Sequence, residues 1–352
     1  MTEKEVINSP SSTLVSVVVP VFNGGEEFDR CLGAVNRSDW PDFECIVVDD
    51  ASKDELAVEI AERHGARLVR LQLRCGPALA RNEGVNNARG EFIFFTDADV
   101  LLHPDAISEA MRAFETDPDL AAVFGSYDDT PGHSSFLSRY RNLYHHWNHQ
   151  AGNEEASTFW TGCGAIRREI FIGMGGFSSD YARPSIEDIE LGYRLREAGY
   201  RIRLLKTMLG THLKQWKFWD MIRTDIFRRG LPWTELLLRF AAAPPDLNLN
   251  LRARIAIVSA ALLPVVLVPL AFAWLPVSWA LLPMILIAVI VWAQFDFYRL
   301  LSRTEGISFA IAVVPFQVLF FMGGALSVPL GYLAWIRGGR KRSSPGHKNE
   351  NG

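Results

Sequence analysis

The sequence predicts a doubly wound α/β domain followed by an all-α membrane region, and three observations carry that expectation. Over roughly the first 125 residues, β-branched runs alternate with helical periodicities, the pattern of a parallel sheet wrapped by helices. Two later stretches lack any charged side chain: 41 residues from Ile255 to Phe295 and 31 from Gly306 to Ile336. About 20 apolar residues already span a bilayer core, so these runs argue against a wholly soluble chain. Between the two regimes, residues 200–254 carry eleven Lys or Arg against four acids, a net charge of +7.

The elements follow in order. Leu14-Val15-Ser16-Val17-Val18-Val19 is a β-branched run closed by Pro20, which reads as a strand. Phe28, Cys31, Leu32 and Val35 then fall at i, i+3, i+4 and i+7, the apolar stripe of an amphipathic helix. The alternation repeats with a strand at Cys45–Val48, a helix around Leu56 and Ile60, a strand at Leu68-Val69 and a helix opened by Pro77. Phe92–Phe95 is a strand, Pro104 suits the first turn of a helix carrying Ile107, Met111 and Phe114, and Ala121–Phe124 returns to strand. From Ser126 to Trp160 the pattern loosens around an aromatic, histidine-rich stretch, Tyr140 to His149, and a regular helix resumes after Ser185.

Within the basic segment Trp216, Trp219, Ile222 and Ile226 form an apolar stripe, as expected for a helix lying on an anionic membrane surface. A solvated charged face packing on the first domain is the alternative. The longer uncharged run suits a helical hairpin broken near Leu275–Ser278, and Arg299 and Arg303 place the following loop in the cytoplasm by the positive-inside rule. The last run suits one tilted span or a re-entrant pair broken at Gly323-Gly324 and Pro329, so about three spans are expected. The domain plan is a flexible tail at 1–13, a catalytic domain at 14–214, interfacial helices at 215–254, membrane helices at 255–336 and a basic flexible tail at 337–352.

Composition narrows the function class. With 49% hydrophobic and 22% charged residues and a net charge of -4, the 352-residue chain is neither disordered nor collagen-like, and no nucleic-acid partner is expected. Cys31, Cys45, Cys75 and Cys163 are scattered without a CxxC, which suggests neither a disulfide framework nor a thiolate zinc site. The first residues carry Glu3 and Glu5 and lack the basic-then-apolar order of a signal peptide, so the first domain is expected to stay in the cytoplasm.

Four motifs fall at or near expected strand ends, the edge at which open α/β sheets bind ligands. Pro20-Val21-Phe22-Asn23 follows the first strand, and Asp49-Asp50-Ala51-Ser52 follows the second, where a carboxylate accepts hydrogen bonds from a base or ribose or simply caps a helix. Thr96-Asp97-Ala98-Asp99 offers two carboxylates one residue apart, suited to a hard divalent ion that also holds phosphate oxygens, or to a plain acidic turn. Ser185-Ile186-Glu187-Asp188 opens a helix, and its Asp188 reads either as a catalytic carboxylate or as part of a capping box. Gly76–Asn82 adds a helix whose N-terminus faces the same edge, with Arg81 available for pyrophosphate.

Taken together, from about Leu14 to His212, this set resembles the family 2 inverting glycosyltransferases of the GT-A fold. The resemblance implies that Pro20, Phe22, Asn23 and Asp50 bind the nucleotide of a nucleotide-sugar donor, with Arg81 and Asp97 near its diphosphate. It implies that Asp97 and Asp99 are a metal-binding DxD pair for Mn2+ or Mg2+, joined by His212. Trp160-Thr161-Gly162-Cys163-Gly164 and Glu187 would line the acceptor side, and Asp188 would be the general base of an inverting single displacement. The acceptor is expected to be a hydroxyl on a lipid-linked or membrane-associated molecule, with anionic membrane lipids as further partners.

The Gln-x-x-Arg-Trp motif of processive family members is absent, only loosely echoed by Arg228–Trp233, so polymer extrusion is not expected. His145 and His149 share a helix face and could with His146 bind zinc, though helix packing or acceptor contacts explain them as well. Three rival functions stay open: a polyprenyl-phosphate sugar synthase, whose ionised acceptor needs no base; a nucleotidyltransferase; and a non-catalytic membrane scaffold with a relict nucleotide pocket.

Overall fold

A computed structural model describes residues 13–181, 183–240, 250–272, 274 and 276–337. Residues 1–12 of the expected N-terminal tail, 241–249 of the expected interfacial segment and 338–352 of the basic tail lie outside the described residues. The chain divides into two compact units. One comprises the residues up to Ser126, Thr158–Arg183 and Glu187–Leu213; the other comprises Tyr127–Ser157, Pro184–Ile186 and the chain from Lys214 onward.

The first unit opens with strict alternation: β1 (Val15–Val21), α1 (Glu26–Val35), β2 (Phe43–Asp49), α2 (Leu56–Arg63), β3 (Arg67–Arg70), α3 (Pro77–Asn86) and β4 (Phe92–Thr96). The short β5 (Val100–Leu102), α4 (Ala106–Thr116) and β6 (Leu120–Tyr127) complete the first 127 residues. After α5 (Phe136–Gln150), which groups with the other unit, come β7 (Cys163–Arg167), α6 (Arg168–Gly173), α7 (Glu187–Glu197) and β8 (Arg201–His212).

Among the described residues the eight strands form one sheet in the order β3-β2-β1-β4-β7-β6-β8-β5. The half built from β1 to β4 is parallel, as the alternation predicts. The other half differs: β7 runs antiparallel to both β4 and β6, and β5 pairs antiparallel with β8, so the sheet is mixed. Val15, Val17, Val18 and Val19 of β1 have no exposed surface, which is why that strand reads as a continuous apolar run rather than an alternating one. Burying each such valine contributes about 1.5–3 kcal/mol, enough to fix the register of the central strands.

The second unit is helical. Its α5 is followed, beyond β8, by α8 (Phe218–Arg223), a π-helical turn (Thr224–Gly230), α9 (Leu231–Phe240), α10 (Leu251–Ala271), α11 (Leu281–Ala293), α12 (Phe295–Thr304) and α13 (Ile307–Arg337). Among the described residues two helices, α10 and α13, are long and apolar enough to cross a membrane; a third span results if α11 and α12, bent by 72°, count as one. The Gly323-Gly324 pair and Pro329 do not break α13, which runs for 31 residues without a re-entrant turn. At about 1.5 Å per residue, the 13 residues of α11 rise roughly 20 Å, short of a bilayer core.

One core of this unit packs Tyr140 and Tyr144 of α5 against Trp216, Met221, Phe297 and Phe309, which explains the aromatic richness of the Tyr140–His149 stretch. The stripe foreseen in the basic segment splits: Trp216 is buried in this core, whereas Trp219 is exposed. Arg141 meets Asp225 through a buried two-armed ion pair at 2.7 and 3.2 Å, and the Tyr140 hydroxyl donates to Gln317 Oε1 at 2.6 Å inside α13. The His145 and His149 rings lie 4.1 Å apart at a tilt of 42° and His145 packs against Tyr127 at 4.3 Å, so packing occupies these rings; among the described residues no three His, Cys, Asp or Glu side chains form a metal cage.

Candidate active site

The predicted residues gather at the edge where β1, β2 and β4 end. Pro20 is the penultimate residue of β1, and Phe22 lies just beyond, half-buried, with the Arg74 guanidinium 3.7 Å above its ring. Asn23 (φ 53°) and Ala51 (φ 58°) both adopt left-handed backbone, a conformation uncommon outside glycine that concentrates at functional turns. Their loops are laced together: the Asn23 amide donates to Ser52 Oγ at 2.8 Å, and the Lys53 amide donates to Asn23 Oδ1 at 3.1 Å. The bends at the ends of β1 and β2 are thus one structure.

Asp50, buried beside them, accepts from the backbone N–H of Cys75 at 2.7 Å and of Gly76 at 2.9 Å. Gly76 takes φ 87°, open to glycine at no steric cost, and Pro77 then starts α3 with its fixed φ. Asp50 therefore ties the second strand exit to the start of α3. Burial and the Asp50 carboxylate push the Cys75 thiol up to about 11, so it is uncharged at neutral pH.

One turn into α3, Arg81 is almost fully buried and bridges two acids from distant parts of the chain. Its Nη2 donates to Asp97 Oδ1 at 2.5 Å and its Nη1 to Glu187 Oε1 at 3.0 Å. Burial opposes the Arg81 charge, but the two carboxylates outweigh it and raise its pKa. The Nε–H of Arg81 is buried without a partner among the described residues, a donor still open to a ligand oxygen. Next to it, Asn82 clamps the backbone of Phe177 through both amide atoms, at 2.8 and 2.9 Å.

Sheet pairing explains the remaining convergence. Because Thr96 lies opposite Cys163 across β4 and β7, the Trp160–Gly164 segment arrives beside Asp97, and Thr96 Oγ1 donates to the Gly162 carbonyl at 3.1 Å. A Cβ at Gly162 would run into the Trp160 indole, so glycine there lets the ring fold back over the turn. Likewise Val100 lies opposite His212 across β5 and β8, which brings His212 Nε2 to 3.4 Å from Asp99 Oδ2.

Asp188 lies in the first turn of α7. Its Oδ2 accepts from the Thr161 amide at 3.2 Å and its Oδ1 from the Ile189 amide at 2.8 Å. Burial, reinforced by the neighbouring Glu187 charge and only partly offset by Arg81, pushes its pKa up to about 6 from the ordinary 3.8. A carboxylate in that range is ionised at neutral pH yet basic enough to take a proton.

The donor set fits a hard divalent cation. Asp97 and Glu187 contact the buried Arg81, with Asp188 near it and Asp99 beside His212, so four acids share a single buried arginine; an oxygen and an imidazole nitrogen 3.4 Å apart suit two ligands of one ion bound at about 2.1 Å. Among the described residues no third His, Cys, Asp or Glu completes a cage, so such an ion would take its other ligands from phosphate and water. Several participants had little signal in the sequence. Ser52 and Thr96 were visible only as parts of their motifs, and the covering role of Arg74 and the backbone of Cys75 depend on a loop that no periodicity marks.

Comparison with known proteins agrees with this architecture. Residues 16–175 match the family described as Glycosyl transferase family 2. An uncharacterised Mycobacterium tuberculosis protein is 30% identical over 207 residues, 54% of this chain and 65% of that protein. The O-antigen biosynthesis protein RfbC of Myxococcus xanthus is 36% identical over 130 residues, 35% of this chain and 10% of that protein. The chain thus spans less than two thirds of the length of either relative. Among solved structures, the mannosyltransferase PcManGT of Pyrobaculum calidifontis, in complex with GDP-Man and Mn2+, superposes with a TM-score of 0.53 at 18% identity, covering 90% of this chain and 86% of that one. Residues 16–175 thus carry the likeness to glycosyl transferase family 2, on a mixed α/β sheet similar to that of a GT-A glycosyltransferase.

Proposed function

We propose that this chain is a membrane-attached glycosyltransferase that moves a sugar from a nucleoside-diphosphate donor to a hydroxyl acceptor with inversion. The observation that carries the reading is the Arg81 bridge, which gathers Asp97 of the DxD motif and Glu187, the neighbour of Asp188, into one cluster. Phe22, Asn23 and Asp50 form the floor for the nucleotide, and the open Nε–H of Arg81 points to a diphosphate oxygen as its missing acceptor.

Asp99 and His212, with Asp97 beside them, would hold Mn2+ or Mg2+, which when bound neutralises charge on the departing diphosphate. Asp188 takes the proton from the acceptor hydroxyl, and that oxygen attacks the anomeric carbon as the bond to the diphosphate breaks. Thr161, through its amide, fixes the Asp188 carboxylate, while Trp160, Gly162, Cys163 and Gly164 shape the acceptor side. The position of α10 and α13 after this domain supports a lipid-linked or membrane-associated acceptor, with the catalytic unit on the cytoplasmic face that Arg299 and Arg303 favour. The printed name of the Myxococcus relative supports a cell-surface glycan as the class of product.

The test is to incubate the detergent-solubilised chain with a panel of nucleotide sugars and Mn2+ or Mg2+ and to measure released nucleoside diphosphate. Release with one donor and dependence on the cation are expected; no release from any donor, with or without membrane extracts as acceptor, would contradict the reading.

A further inference from the structure

We propose that the elbow between α11 and α12 binds one anionic phospholipid, its acyl chain in an apolar trough and its phosphate against Arg299. The inference rests on the membrane attachment of the second unit. Two adjoining grooves, of about 540 and 300 Å³, share Val291 and Phe295 as walls. The larger follows one face of α11 through Met284, Ile287, Ala288, Val291 and Trp292, the i, i+3, i+4, i+7, i+8 spacing of a single helical stripe. The smaller continues past α12 toward Ile307 and Val314 of α13, with Arg299 and Ser302 in its wall. From Met284 to Phe295 a rise of about 1.5 Å per residue gives roughly 16 Å, the reach of most of an acyl chain. So short a trough matches one chain of a membrane phospholipid better than a long polyisoprenoid.

Charge selects the head group. Asp296 of α12 is engaged by Arg252 of α10 at 2.7 Å, and Glu305, just after α12, is engaged by Arg139 of α5. Among the described residues Arg299 and Arg303 have no ion-pair partner, and four residues apart on one helix they stand on the same face. The elbow therefore presents two uncompensated positive charges at the end of an apolar trough. With α12 turned 72° from α11, an α11 inserted partway along the bilayer normal leaves α12 lying near the plane of the bilayer surface, the level of lipid phosphates. Two guanidiniums there favour the net negative charge of an anionic head group over a zwitterionic one, whose own ammonium cancels the phosphate charge.

The experiment uses the full chain purified in detergent, mixed with phosphatidylglycerol or phosphatidylcholine of identical acyl chains, with bound lipid counted by native mass spectrometry. Phosphatidylglycerol should be retained about 25-fold better, the product of roughly fivefold for each of the two arginines near a membrane surface. The double variant R299Q/R303Q should lose that preference while staying folded, since both side chains are exposed. Ala288→Trp, at an exposed position inside the trough, should weaken retention of both lipids by filling the chain site. Equal retention of the two lipids by the wild type, an unchanged preference in R299Q/R303Q, or displacement of phosphatidylglycerol by farnesyl phosphate at equal concentration would overturn the site. Recovery of the intact chain in solution without detergent would instead overturn the membrane reading on which the site rests.

Discussion

The two units of this chain treat polarity in opposite ways. In the first, the interior is apolar around the strands, yet its sheet edge buries acids and an arginine: Asp50, Arg81 and Glu187 are each about 5% exposed or less. In the second, large apolar side chains point outward, with Val265 at 64%, Met284 at 65% and Ile311 at 66% exposure along α10, α11 and α13. Water penalises both choices, and each is stable only with a particular neighbour. Buried charge at the sheet edge calls for partners and a ligand, whereas outward apolar helices call for a hydrocarbon solvent. The contrast fits the proposed division of labour, with chemistry in one unit and membrane attachment in the other.

Several substitutions should break that contrast. The largest effect belongs to the cation: excess EDTA or Asp99→Asn should nearly abolish nucleoside-diphosphate release, because the acidic excess around Asp99 and His212 would lose its counter-ion or its ligand. Full turnover in EDTA would contradict this. Next, Arg81→Met should cut transfer at least tenfold and also lower the melting temperature, since Asp97 and Glu187 both lose their shared partner. Arg81→Lys restores the charge but not the two-armed geometry, so it should recover stability before activity.

In the helical unit, Arg141→Met should cost about 3–5 kcal/mol by leaving Asp225 buried and unpaired, read as a lower midpoint in detergent. Donor binding by the first unit should persist in that variant at temperatures where it stays folded. A smaller loss, about 1–3 kcal/mol, is expected for Gln317→Leu, which strips the Tyr140 hydroxyl of its acceptor inside α13. Equal stability of either variant and the wild type would show that these polar contacts bridge to lipid or water instead.

The smallest effect is a pH dependence of stability. The folded pKa of Asp188 lies near 6 and its ordinary value is 3.8, so the folded state binds this proton more tightly. Any stability the protonated form contributes is complete below about pH 4 and is lost as pH rises through 6. Asp188→Asn should therefore melt above the wild type at pH 8 and level with it at pH 4. A variant less stable at both values would mark Asp188 as a structural support of α7.

Legibility followed the same division. Strands β1, β2, β3, β4 and β6 were readable because each is a hydrophobic run in a regular alternation, α1, α2 and α4 because apolar residues recur at helical spacing, and α3 because Pro77 marks its start. β7 was not: Cys163-Gly164-Ala165-Ile166-Arg167 contains small residues whose extended form is imposed by pairing with β4 and β6. The three residues of β5 are too few for a pattern and the alternation of Arg201-Ile202-Arg203-Leu204 in β8 went unread, so the arrival of His212 beside Asp99 rested on resemblance and not on periodicity. The acids of the site were visible as motifs, but the Arg81 bridge was not, since Arg81 and Glu187 lie 106 positions apart and nothing local links them. The bend at Ala293–Phe295 was not foreseen as a turn of the backbone, although Gln294 and Asp296 mark the point where the uninterrupted apolar run ends.

The account turns on Asp188, and the most direct measurement separates binding from chemistry in one variant. For Asp188→Asn, donor affinity is measured by calorimetry and sugar transfer by released nucleoside diphosphate at pH 7.5. General-base catalysis predicts affinity close to wild type and transfer reduced about a hundredfold or more. A variant that binds donor and transfers at near the wild-type rate would contradict the base assignment and indicate an acceptor already ionised, such as a lipid phosphate.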